Sequence, residues 1–173
     1  GIFWIVILGF AESNAQIEIG TVPPDVRIEG DEGGRINGES WALSDSFGKM
    51  CLMLYVSPSQ QDEVEPLIDR LGSLELDPNS IEVVFAVNTD AAWIPNFIIE
   101  NRVKDKAADD TTKTYVLDKN RIIEKYWELE YDEPNILVFN KNSELLFHHY
   151  GEIDEAVIQK SLQFITINEG ELK

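Results

Sequence analysis

A chain of 173 residues is one domain's worth and buries roughly 70 % of its unfolded surface, so its core needs no covalent staples. Thirty-two acidic against fourteen basic side chains leave a formal net charge of −18, which excludes the positive footprint that DNA, RNA or an anionic membrane surface requires. The single cysteine, Cys51, excludes an intrachain disulfide, a CxxC pair and a cysteine-built zinc knuckle.

Residues 2–10 (IFWIVILGF) are an apolar run too short to span a bilayer as a helix. Small residues follow at Ser13 and Ala15. An apolar run ahead of a small-x-small site has the shape of an export signal cleaved after Ala15, here without its basic start and initiator Met. A buried first strand is the competing reading. Export, most simply to a bacterial periplasm, is the expectation, with no stable membrane span left after cleavage.

Residues 16–26 form an extended lead-in, because Pro23-Pro24 forbids helix. Asp31-Glu32-Gly33-Gly34 is a turn signal, and residues 35–43 complete a hairpin. After Gly48-Lys49 comes Met50-Cys51-Leu52-Met53-Leu54-Tyr55-Val56, a continuous apolar run that fits a strand covered on both faces. Ser57-Pro58-Ser59 breaks it. Val64, Leu67, Ile68 and Leu71 then recur at helical spacing behind Asp62 and Glu63, with Gly72 and Pro78 closing the element. Residues 81–87 (IEVVFAV) are a second buried strand, ending in Asn88-Thr89-Asp90. A helix over residues 93–107 tolerates Pro95 only in its first turn. A short strand covers 114–117 and ends in Asp118-Lys119-Asn120. Strands over 136–139 and 144–150 flank the turn Asn140-Lys141-Asn142-Ser143. The last helix starts near Asp154 and buries Val157, Ile158, Leu162 and Ile165. The order after the lead-in is β-α-β-α-β-β-β-α, a mixed α/β sheet flanked by helices, with 16–47 as an N-terminal extension and hairpin, 48–167 as the main domain and 168–173 as a tail.

These residues carry a family resemblance. The strand after Gly48-Lys49 and the helix holding Pro66-Leu67-Ile68-Asp69-Arg70-Leu71 resemble the opening of a thioredoxin-like fold, in which a proline sits within the first helix. That register implies a redox CxxC at Pro58, Ser59, Gln60 and Gln61, where both cysteines are missing. Glu133-Pro134-Asn135-Ile136-Leu137-Val138-Phe139-Asn140 resembles the redoxin segment in which a cis-proline precedes a strand, and so implies a cis peptide bond between Glu133 and Pro134. Val87-Asn88-Thr89-Asp90-Ala91, with Pro95 beyond and Trp127-Glu128-Leu129 further on, is similar to the YtfJ-type exported thioredoxin-like proteins. The resemblance covers about residues 20–167.

Thiol catalysis needs a thiolate at a helix N-terminus, where the helix dipole lowers its pKa. Cys51 stands instead near the start of a buried strand, about 20 Å from the functional end at ~3.3 Å per residue. A peroxiredoxin register fares no better. It aligns Ser57-Pro58-Ser59 with that family's Cys-Pro-Thr and puts Leu54 where its threonine stands. His148 and His149 are adjacent on a strand, point to opposite faces and cannot share a metal. Asp118-x-Asn120 lacks the rest of a calcium loop and reads as a plain turn. No phosphate-binding glycine motif occurs, and no metal or cofactor is expected. Trp93, Tyr126, Trp127 and Tyr131 read as core and rim.

In an open α/β sheet, ligands bind outside the carboxyl ends of the strands. Those ends collect Ser57, Pro58, Ser59, Gln60 and Gln61, then Asn88, Thr89 and Asp90, and by the redoxin resemblance Glu133 and Pro134. The expected function is a non-redox module that binds a protein or peptide there, by main-chain pairing. The alternatives are a thiol oxidoreductase or peroxidase using Cys51, and a hydrolase using Ser57.

Overall fold

The run Met50–Val56 forms β4, and all seven of its residues are buried. The computed structural model describes residues 16–170; the expected export signal at 1–15 lies outside them. Before β4 come three short strands, β1 (Arg27–Ile28), β2 (Gly33–Arg35) and β3 (Trp41–Ala42). After it follow α1 (Gln61–Gly72), β5 (Ile81–Asn88), α2 (Asn96–Asp109), β6 (Thr114–Asp118), α3 (Ile122–Trp127), β7 (Asn135–Phe139), β8 (Leu145–Tyr150) and α4 (Glu155–Gly170). Six strands make one sheet in the order β2-β6-β5-β4-β7-β8. β4 pairs parallel with β5 and antiparallel with β7, so the sheet is mixed.

Strand alternation divides the core into two layers. Leu52, Leu54 and Val56 face α1 through Val64, Leu67 and Leu71, α2 through Ile99 and Val103, and α4 through Ile158 and Ile165. Cys51, Met53 and Tyr55 belong to the other layer, with Ile123 and Trp127 of α3 and Val26, Ile28, Trp41 and Leu43 of the N-terminal segment. That segment is tied down by Trp127, whose indole N–H donates to the Pro24 carbonyl at 2.9 Å.

Four details differ from the sequence expectations. The hairpin expected after the 31–34 turn is divided: β1 pairs with β3, whereas β2 leaves to pair with β6 in the main sheet. Gly33 makes this possible, because a Cβ there would stand 2.0 Å from the Leu117 carbonyl oxygen. α2 begins at Asn96, with Pro95 just outside the helix as its N-cap. α3 was not expected; its six residues are fewer than two turns and carry no readable period. Finally, no peptide bond among the described residues is cis, so Glu133 and Pro134 are joined in trans. Trans is the ground state of such a bond by about 0.5–1 kcal/mol. The turn is built by other means: Asp132 takes a left-handed φ of 60°, and the Asn135 side-chain amide donates to the carbonyls of Glu130 and Glu133.

α1 carries Pro66 in its interior, as the sequence suggested, at the cost of one helical hydrogen bond. β7 and β8 form the expected hairpin, its turn held by Asn140 Oδ1, which accepts the N–H groups of Asn142 and Glu144. Trp127 is fully buried and stacks obliquely on Phe139, with ring centroids 5.7 Å apart. Trp127→Ala empties that layer and releases the lead-in, so urea denaturation should show a loss of about 3–5 kcal/mol. A loss below about 1 kcal/mol would mean that the N-terminal segment is not part of the core.

Candidate functional site

Strand register brings the expected segments to one edge. Val56 pairs with Val87 across β4 and β5, which sets Ser57 beside Asn88. Tyr55 pairs with Asn135 across β4 and β7, which sets Pro134 beside the end of β4. Asn88 in turn pairs with Asp118 across β5 and β6. The carboxyl ends of three strands and the entry to a fourth thus meet.

The ten expected residues divide by exposure. Ser57, Gln60, Asn88, Thr89 and Pro134 are buried, Pro58 and Gln61 half-buried, and Ser59, Asp90 and Glu133 exposed. Residues 58–60 form a 3-10 turn that runs into α1. The turn is closed on itself: the Ser57 N–H donates to Gln60 Oε1 at 2.9 Å, and the Ser57 and Ser59 hydroxyls are 2.9 Å apart. Ser57 therefore has a serine, not a base, as its hydroxyl partner. Across the edge, the Asp90 N–H donates to Asn88 Oδ1 at 3.2 Å. The Thr89 N–H donates to the Asp118 carbonyl at 2.9 Å, but its buried hydroxyl has no hydrogen-bond partner among the described residues. The carbonyls of Glu133 and Pro134 already accept from Asn135 Nδ2 and the Gly151 N–H. Main-chain pairing at this loop would have to compete for acceptors in use.

Behind the edge lies a buried polar network. Asp118 is fully buried; its Oδ1 accepts from the Ile122 and Asn120 N–H groups, and its Oδ2 from the Ile123 N–H and the Tyr55 hydroxyl at 3.0 Å. Burial pushes the Asp118 carboxyl above its ordinary range, against the pull of these donors. Burial, with the neighbouring Asp118 and Glu124 charges, also raises Tyr55 well above a free phenol, so its hydroxyl stays a donor. Glu124, also buried, accepts from Asn88 Nδ2 at 3.3 Å and from the Arg121 guanidinium. Arg121 lies 4.3 Å from the centre of the Tyr131 ring. Asp118-x-Asn120 is thus a turn whose acid caps α3 from below. The readable signal was Asp118 at the end of an apolar strand, four residues ahead of two isoleucines.

Trp93 is 95 % exposed in the loop joining β5 to α2, and Phe97 65 % exposed in the first turn of α2. Trp127 is core, whereas Trp93 is all surface. His148 and His149 make separate hydrogen bonds, to Asn135 Oδ1 and to the Glu152 carbonyl. Because Asn135 spends its amide N–H groups on carbonyls, its Oδ1 accepts and His148 Nε2 carries the proton. Burial pulls the His148 pKa down.

A family model described as "Bacterial protein of unknown function (YtfJ_HI0045)" matches residues 25–168. The chain belongs to the YtfJ_HI0045 family. A comparison of this YtfJ_HI0045 protein with curated proteins finds no match. Among solved structures it is similar to the exposed lipoprotein thioredoxin Etrx1 of Streptococcus pneumoniae, at 17 % identity and TM-score 0.58, over 82 % of this chain and 99 % of that one. It also resembles the thioredoxin domain of a thiol-disulfide oxidoreductase from Bacteroides vulgatus, at 15 % identity and TM-score 0.58, covering 87 % and 99 %. A hypothetical protein of Sinorhizobium meliloti matches at 13 % identity and TM-score 0.64, covering 90 % and 86 %. At such identities the likeness shows the thioredoxin-like fold. No helix among the described residues is long and apolar enough to cross a membrane.

In this YtfJ_HI0045 protein the one sulfur of a cysteine is far from the edge. Cys51 pairs in register with Glu82 and Phe139, five residues short of the end of β4, or about 17 Å at ~3.3 Å per residue. It is 1 % exposed, and burial, with the Glu82 charge, pushes its thiol up to about 12. Native protein at pH 8 should therefore react with iodoacetamide more than a thousandfold slower than urea-unfolded protein, as mass spectrometry of timed samples would show. Labelling within tenfold of the unfolded rate would place the thiol in water. Tyr55→Phe removes one of the four donors to a buried carboxylate and should cost about 1–3 kcal/mol in urea denaturation.

Proposed function

We propose that this YtfJ_HI0045 protein is an exported, non-redox binding module that takes a protein or peptide segment at the edge where the strand ends meet. The observation that carries the reading is Trp93, 95 % exposed beside Asn88, Thr89 and Asp90, with Phe97 following at the start of α2. Soluble proteins withdraw large aromatics from water, and tryptophan is over-represented among the residues that dominate interface energies. The loop stands on a stiff base, because Asn88 is held by Glu124 and the Thr89 N–H by the Asp118 carbonyl. In this reading Ser59, Gln61, Asp90 and Glu133 are the polar rim. Ser57, Pro58, Gln60, Asn88, Thr89 and Pro134 hold its shape. Side chains carry the recognition, since the Glu133 and Pro134 carbonyls are already in use. Export rests on the apolar run at 2–10 and the Ser13-x-Ala15 site, and a protein of similar fold is named an exposed lipoprotein.

The test uses peptides selected from a displayed library against the wild-type protein. Selected peptides should shift the amide resonances of residues 88–97, and Trp93→Ala should weaken them about tenfold or more. Wild-type protein and Cys51→Ser should reduce insulin no faster than buffer. Insulin reduction that disappears in Cys51→Ser, or binding indifferent to Trp93→Ala, would overturn the proposal. For export, mass spectrometry of a periplasmic fraction should find a mature chain starting at Gln16.

A further inference from the structure

From the strand edge the surface deepens into a cleft between α1 and α2, with a volume of ≈ 260 Å³. Val56, Phe85, Val87, Ile99 and Val103 make its floor and walls, and all five are buried core residues. The polar lining comes from Ser57 and Gln61 at the start of α1, from Arg102 and Lys106 one helical turn apart on α2, and from Tyr115 on β6. No aspartate or glutamate lines the cleft, in a chain that carries thirty-two of them.

Two donors in the cleft, on Arg102 and Tyr115, are free. Arg102 makes no hydrogen bond or ion pair among the described residues, and Lys106 is held only by Glu65, at 3.6 Å. Tyr115 is 7 % exposed, yet its hydroxyl makes no hydrogen bond among the described residues. The hydroxyl opens into the cleft, where it is free to donate.

We infer that the cleft between α1 and α2 binds a small organic acid, with its apolar body on Val56, Phe85, Ile99 and Val103 and its carboxylate between the Arg102 guanidinium and the Tyr115 hydroxyl. Arg102 offers a planar pair of N–H groups that matches a carboxylate, and Tyr115 adds a third donor. The apolar floor disfavours inorganic phosphate, which would bury strongly hydrated oxygens against carbon. The volume holds about nine non-hydrogen atoms at the ~30 Å³ that one water occupies in the liquid, which is the size of a phenylalkanoate or a medium-chain fatty acid. The site is separate from the Trp93 surface and shares with the peptide edge only the residues at the start of α1.

The probes are 3-phenylpropanoate, octanoate and the neutral 3-phenylpropanamide, titrated into the full chain and followed by protein-observed NMR. The acids should shift amides of residues 57–61, 99–106 and 115, and should bind at least tenfold more tightly than the amide. Arg102→Gln, on an exposed side chain, should weaken the acids about tenfold while leaving the amide unchanged. Tyr115→Phe should weaken them severalfold, and Trp93→Ala should leave them as they are. Equal binding of acid and amide, shifts that map elsewhere, no binding at millimolar concentration, or indifference to Arg102→Gln would each overturn the inference. Because Trp93→Ala tests the peptide edge and Arg102→Gln the cleft, failure of one reading is distinguishable from failure of the other.

Discussion

One buried carboxylate fixes the working end of this molecule. Asp118 closes β6, accepts from the first N–H groups of α3 and takes the Tyr55 hydroxyl from β4, two strands away. Through these bonds the central strand, a flanking strand and a short helix share one anchor. A six-residue helix is too short to persist on its own, since nucleation is unfavourable and few bonds repay it. Asp118 supplies part of what the sequence of α3 lacks, and the burial of Ile123 and Trp127 supplies the rest. With α3 in place, Glu124 is brought under Asn88, and the loop that leads to Trp93 gains a fixed root.

The same geometry shows a thioredoxin-like fold whose strand-end turn carries no cysteine. The fold delivers a helix N-terminus to the end of a central strand whatever residues stand there. In this chain the turn before α1 is closed by Ser57, Ser59 and Gln60, which bond to one another. The sulfur that does exist packs between the sheet and the N-terminal segment, where a thiolate would face both desolvation and the Glu82 charge. Similar folds named for thiol-disulfide exchange share the scaffold, and function resides in what the scaffold presents.

Long periodic or continuously apolar segments could be read from the sequence, and elements defined by tertiary partners could not. Met50–Val56, α1 with its internal proline and the hairpin after Phe139 are each specified by a local pattern that the fold keeps. The resemblance found through the thioredoxin-like opening and the VNTD segment matches the family that the whole chain supports. β2 was missed because a glycine pair reads as a turn, and only contact with Leu117 shows it as an edge strand. The trans bond at Pro134 was misread because the family pattern was carried over to a loop that Asn135 shapes differently. Asp118 hid inside a turn-like tripeptide, since its partners Tyr55 and Ile123 are distant in one case and apolar in the other. The cleft was hidden for the same reason: Arg102, Lys106 and Tyr115 meet Val56 and Phe85 only after the sheet has formed.

The large negative charge does not weigh against an anion in that cleft. A net charge of −18 is summed over the whole surface, whereas at physiological salt a charge is screened within about 8 Å. At the cleft, Arg102 and Lys106 face Glu65, which is turned to Lys106, and Asp110, whose charge reaches the Tyr115 hydroxyl; the Arg102 guanidinium is left over to meet a carboxylate. Among the described residues, six basic side chains sit in ion pairs with the surplus of acids, and Arg102 is not one of them. Small hydrophilic anions gain nothing from the apolar floor. An acid with a hydrocarbon body regains about 2.5 kcal/mol for each ~100 Å² it buries there. Selectivity for apolar acids over mineral anions thus follows from the position of a few cations above buried carbon.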